Sequence, residues 1–121
     1  MEAKIGFHNM AEKISEGTHE KIQELQLLQQ RLQVFAAQKQ QLQLQQIETD
    51  NALVELEKAK PPVYRMIGEL LVEKPIADLK KELKERKEEI ELRIKTVEKQ
   101  ELKSRDRAQE LQKEVTAEMK K

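Results

Sequence analysis

Side chains suited to catalysis are few in this chain. His8 and His19 are its two imidazoles, and it has no cysteine. Eleven residues separate the histidines, so they share a face only if one unbroken helix runs through Gly17. No cluster of carboxylates accompanies them, and neither a metal site nor a cofactor is expected. The lack of cysteine removes thiolate catalysis, disulfides and Cys-based zinc sites together, and is compatible with a reducing cytoplasm. No glycine-rich phosphate cradle occurs, and no Ser, His and acid constellation with a pocket to hold it. The chain reads as noncatalytic.

The remaining chemistry is apolar contact. Ile5, Phe7, Met10 and Ile14 stand near one chain end, and Val115 and Met119 near the other. Flexible, polarizable Met beside Phe can adapt to many partners. The plainer reading of the same residues is end-of-helix packing or scattered surface hydrophobes. A second apolar concentration is PPVYRMIGELLVEKP, Pro61 to Pro75. Gly68 at the first central position of a two-residue loop suits a type II′ hairpin turn. That turn pairs Ile67 with Leu70, Met66 with Leu71, Arg65 with Val72 and Tyr64 with Glu73. Side chains alternate along strands, so Val63, Ile67, Leu70 and Val72 fall on one face and Tyr64, Met66 and Leu71 on the other. An isolated two-stranded hairpin is marginal in water, and its open edges are templates for other chains. Hairpins from several subunits are therefore expected to assemble into a shared sheet or barrel.

Long helices must carry this hairpin. Of the 121 residues 38% are charged and only 2% aromatic, which makes a self-contained core thin and matches a coiled coil or long helix. From Thr18 to Ala59 no Pro or Gly occurs, and Leu25, Leu28, Leu32, Phe35, Leu42, Leu53 and Leu56 hold one heptad register. The same register puts Lys39, Gln46 and Thr49 in the seam. Residues 23–46 contain eleven glutamines, but Gln is a fair helix former and the leucines keep their spacing, so the tract reads as a solvated helix face. Pro61 and Pro62 end the first helix. A second helix is expected from Pro75, which suits a first turn, with Asp78 favouring the positive end of the dipole. In it Leu83, Ile90, Val97, Ser104 and Leu111 stand seven apart. Arg86, Arg93, Gln100 and Arg107 make a weak companion row, partly replaced by Ile94, Ala108 and Val115.

The expected organisation is one domain, residues 1–121. It comprises a mobile tip segment (1–19), helix 1 (20–60), the hairpin (61–75) and helix 2 (76–121). Leaving a tight hairpin from the same end, the helices fold back as an antiparallel coiled coil, residue i lying roughly opposite residue 135 − i.

The net charge is zero, which gives no long-range attraction to a polyanion, and KKELKERKEE reads as a salt-bridging solvated face. No nucleic-acid partner is expected. Nor is a membrane partner: no apolar run approaches the roughly 20 residues that span a bilayer, and neither helix has a broad apolar face beside a basic one.

The stretches AQKQQLQLQ, ALVELEK, VYRMIGELLV and LKERKEEIELRIKTVEKQE together resemble the β-class subunit of prefoldin, also called GimC, most closely its archaeal form. VYRMIGELLV is the most specific of them, because any coiled coil could share the others. The single hairpin points to the β class, since α-class subunits have two. The resemblance implies a heterohexamer of two α and four β subunits whose hairpins build a double β-barrel platform. It also implies ATP-independent capture of unfolded proteins at the coiled-coil tips and delivery to a group II chaperonin. Carried over, Val63, Tyr64, Met66, Ile67, Gly68, Leu70, Leu71 and Val72 form the assembly hairpin, while Ile5, Phe7, Met10, Ile14, Val115 and Met119 belong to the client-binding tip. The alternative is a noncatalytic scaffold or tether that uses the same elements to bind a folded partner.

Overall fold

The computed structural model describes residues 15–120. Helix α1 spans Glu16–Lys58, strand β1 Val63–Ile67, strand β2 Leu70–Lys74 and helix α2 Ile76–Lys120. Helix α1 starts four residues before the expected position. Ser15 caps it: Thr18 N–H donates to Ser15 Oγ at 3.1 Å, and His19 N–H to the Ser15 carbonyl at 3.0 Å. Gly17 falls in the first turn, where it does not interrupt the hydrogen-bonded ladder, so it breaks nothing. At the other end the helix stops at Lys58 and not at residue 60, because Lys60 precedes a proline and is driven out of helical geometry. The Pro61–Pro62 bond is cis.

Pro75 lies just outside α2, where its carbonyl accepts from Asp78 N–H and Leu79 N–H at 3.1 and 3.2 Å. Between the helices, β1 and β2 pair antiparallel with Ile67 opposite Leu70, Met66 opposite Leu71, Arg65 opposite Val72 and Tyr64 opposite Glu73, the register expected from the turn. Gly68 has φ of 61° and no non-glycine residue among those described has positive φ, as a type II′ turn requires.

The described residues fall into two compact units, one of residues 37–98 and one of residues 15–36 with 99–120. In the first, which contains the hairpin, Leu79, Ile90, Ile94 and Val97 are buried, with Leu42, Leu53, Leu56 and Leu83 half-buried. Thr49 is buried too, and its hydroxyl donates to the Gln45 carbonyl at 2.8 Å, so the polar seam position is satisfied within its own helix. Lys80 pairs with Glu57 at 3.3 Å and Lys87 with Asp50 at 2.9 Å. Asp50 Oδ1 is shut from water, and its contact with Lys87 raises the Lys87 pKa above the ordinary lysine value. In the second unit Leu28, Leu111 and Val115 are buried and Leu25, Leu32 and Phe35 half-buried.

Burial corrects the companion row of α2. Arg86, Arg93 and Gln100 are exposed, whereas Lys87, Ile94, Glu101, Ala108 and Val115 turn inward. The row is therefore displaced by one residue from Lys87 onward and then keeps its heptad. Glu101 is buried there with Arg105 at 3.5 Å, one helical turn on.

Candidate functional site

Two surfaces stand out, one in each unit. The first is the hairpin. Met66 and Leu71 are opposite one another on one face and are 70% and 65% exposed; Leu70, next to the turn, is 69% exposed. Tyr64, Ile67 and Val72 are also exposed and Val63 half-buried. The sequence places all eight hairpin residues on these two strands and their turn, and the structure brings them together.

A residue not anticipated from the sequence holds the hairpin to α2. Arg65 Nη1 donates to Glu82 Oε2 at 2.6 Å, and Lys74 Nζ lies 3.7 Å from Glu82 Oε1, so one carboxylate reaches both strands. Arg65 and Lys74 share a face of the hairpin. Beside this clamp a cleft of about 960 Å³ opens, lined by Leu56, Val63, Tyr64, Leu71, Leu79 and Leu83 among others. Glu82 gives no sign of this role in the sequence, because it sits in the Lys- and Glu-rich run KKELKERKEE.

The second surface lies where α1 begins and α2 ends. Of the six residues expected to bind clients, Ile5, Phe7, Met10 and Ile14 lie outside the described residues. Met119 is 60% exposed, whereas Val115 is 9% exposed and faces the seam, because it continues the inward row of Ile94, Glu101 and Ala108. Val115 therefore packs between the helices and is not displayed.

Polar contacts close the seam beyond Val115. Thr18, 3% exposed, donates its hydroxyl to Glu118 Oε2 at 2.6 Å. A hydroxyl has one proton to give, so Ser15 Oγ donates in turn to Thr18 Oγ1 at 3.0 Å. Lys21 Nζ reaches Glu118 Oε1 at 2.5 Å and Glu114 Oε2 at 3.4 Å. Its hydrogen bond to Glu118 leads the causes that raise its pKa above the ordinary lysine value. Further along, Arg107 grips Glu24 with two hydrogen bonds of 3.0 and 3.2 Å and also touches Glu110 at 3.2 Å. Arg107 holds the Glu24 carboxyl below the usual carboxylate range, and Glu24 raises the Arg107 pKa.

Among the described residues no group of three His, Asp or Glu is placed to hold a metal ion, and no helix is long and apolar enough to cross a membrane.

A long coil interrupted by one Gly-turned hairpin with both faces apolar is a specific arrangement, and a family model described as prefoldin subunit matches it over residues 19–121. The chain belongs to the prefoldin subunit family. Within the family it is similar to archaeal β subunits. Prefoldin subunit beta of Archaeoglobus fulgidus is 43% identical over 93 residues, covering 75% of this chain and 80% of that protein. Prefoldin subunit beta of Methanothrix thermoacetophila is 43% identical over 91 residues, covering 74% and 76%. The crystal structure of the prefoldin beta subunit from Thermococcus strain KS-1 superposes with a TM-score of 0.81 at 31% identity, covering 89% of this chain and 96% of that one.

Proposed function

We propose that this chain is one of four β subunits that join two α subunits in a heterohexameric holding chaperone. The complex captures unfolded proteins without ATP and hands them to a group II chaperonin, acting in the cytoplasm and without catalysis. The observation that carries the assembly is the uncovered hairpin: Met66, Leu70 and Leu71 expose about two thirds of their area on a two-stranded sheet with two open edges. Such a sheet gains by pairing and by burying its apolar faces, and neighbouring hairpins offer both. Capture is assigned to the apolar residues near the chain ends, Met119 among them, together with Ile5, Phe7, Met10 and Ile14. Several weak contacts on one complex gain through multivalency what each lacks alone, and release then needs no fuel.

The scaffold reading has one observation in its favour, the closed seam at Leu111 and Val115. Light scattering of a chemically denatured protein, diluted into buffer with a verified complex of this chain and an α-class partner, separates the two. Suppressed aggregation without ATP is expected. Undiminished aggregation would leave the hairpin as an assembly device and withdraw the holding activity.

A further inference from the structure

In the unit formed by residues 15–36 and 99–120, the seam changes character along its length. Leu28, Leu111 and Val115 fill it with apolar atoms. Past Val115 the inward positions are Thr18, Lys21 and Glu118, joined by the 2.6 Å hydroxyl–carboxylate bond and by the ion pairs of Lys21 with Glu114 and Glu118. The two kinds of contact have different opening costs. Parting an apolar rung returns its hydrocarbon to water. Parting the Lys21 pairs, whose side chains remain about one third exposed, exchanges protein partners for water at little net cost, and salt screens what attraction remains. The buried Thr18 hydroxyl and the Glu118 carboxylate likewise find water once the helices part. Directly behind this polar rung stands Val115, and Met119, already exposed, lies one helical turn from it on α2.

We propose that Ser15, Thr18, Lys21, Glu114 and Glu118 form a latch whose opening uncovers Val115 beside Met119, enlarging the apolar surface offered to an unfolded chain. The proposal rests on the holding function and adds a conformational step to it. Val115 then has two states: it packs between the helices while the latch is shut, and it touches the client when the latch is open. Ionic contacts suit this purpose, because they fix the closed geometry at a lower opening cost than a further apolar rung would.

The absence of cysteine makes the opening measurable, since Val115→Cys introduces a single thiol into the chain. Its labelling rate is compared in the complex with an α-class partner in three backgrounds: otherwise unchanged, with Lys21→Glu, and with Thr18→Val plus Glu118→Leu. Complexes without the Cys substitution give the blank rate. Lys21→Glu replaces two attractions with two repulsions and is expected to speed labelling roughly five- to tenfold. The apolar rung is expected to slow it; added salt is expected to speed it most in the otherwise unchanged background, less with the apolar rung, which keeps the Lys21–Glu114 pair, and not with Lys21→Glu, where salt screens a repulsion. Met119→Cys, exposed in every case, should label at one rate throughout. Equal labelling of Val115→Cys in all three backgrounds would overturn the latch.

Aggregation suppression by the same backgrounds with Val115 intact completes the test. The apolar-rung complex should capture less than the unchanged one and the Lys21→Glu complex at least as much; equal capture by the apolar-rung complex would overturn the role of Val115 in binding. Failure of the unchanged complex to suppress aggregation would instead refute the holding function itself, which the labelling rates do not depend on.

Discussion

Replacing Ile67 and Leu70 together with Glu should dissolve the assembly while sparing the fold of the chain. The two residues face each other across the last pair of the hairpin, next to Gly68. Full burial of an Ile or Leu side chain is worth about 1.5–3 kcal/mol. About half of Ile67 and two thirds of Leu70 remain exposed, so covering the remainder in an interface is worth roughly 2–4 kcal/mol for the pair. Losing that amount weakens association by about 30- to 1,000-fold. Desolvating two carboxylates adds to the loss.

Within the isolated chain the effect is smaller, since like charges directly opposite on a hairpin cost only about 0.2–1 kcal/mol. Sedimentation velocity of the variant mixed with an α-class partner, beside the unsubstituted chain at the same concentration, measures the outcome. The expected result is loss of the large species with helical circular dichroism retained. A companion variant with Ser at both positions should give an intermediate loss, because it removes hydrocarbon without adding charge. A double-Glu variant that still sediments as the full complex would refute the argument that these faces are covered on assembly.

The Glu24 carboxyl is held below its ordinary pKa, chiefly by its hydrogen bond to Arg107, so its contribution to stability is complete above the unfolded carboxylate pKa and is lost as pH falls through the depressed folded value. Thermal melts of the chain should therefore show a fall in Tm on acidification that Glu24→Gln reduces, and an unchanged pH profile in that variant would contradict the assignment. Thr49→Val should leave stability unchanged or raise it by up to about 1 kcal/mol, because the hydroxyl bonds only its own helix and the added methyl is buried in the seam. A chemical denaturation curve reads this directly, and a loss above about 1 kcal/mol would mean that the hydroxyl has a further structural role.

Local chemistry was legible in the sequence, and chemistry between distant residues was not. The hairpin register followed from Gly68 alone, since a two-residue turn that needs positive φ at its first position fixes every pair behind it. The α1 seam followed from leucine spacing even through the glutamine tract. In α2 the two candidate rows differed by one residue, and Arg86, Arg93 and Gln100 carried no apolar signal with which to choose; Ile94, Ala108 and Val115 held the answer. That same row decides the place of Val115, whose residue type suits a seam and a binding surface equally. The start of α1 was placed too far along, because Gly17 is a poor helix former, yet a first turn capped by Ser15 tolerates it. Glu82 could not be found this way, because its partners Arg65 and Lys74 lie on another element and many neighbouring glutamates have the same local surroundings.

The uneven distribution of apolar burial explains why such a chain is built as a subunit. Among the described residues seven large apolar side chains are buried, and they are spread along two helices of 43 and 45 residues. At the polar seam position Thr49 the hydroxyl bonds within its own helix and so adds little between the helices. By contrast six exposed apolar residues crowd onto two five-residue strands, Tyr64, Met66, Ile67, Leu70, Leu71 and Val72. A sequence selected only for the stability of a lone chain would place such residues in the helical seam, where Lys39, Gln46 and Glu101 stand instead. Placing them on a sheet with two free edges makes sense when other hairpins cover them.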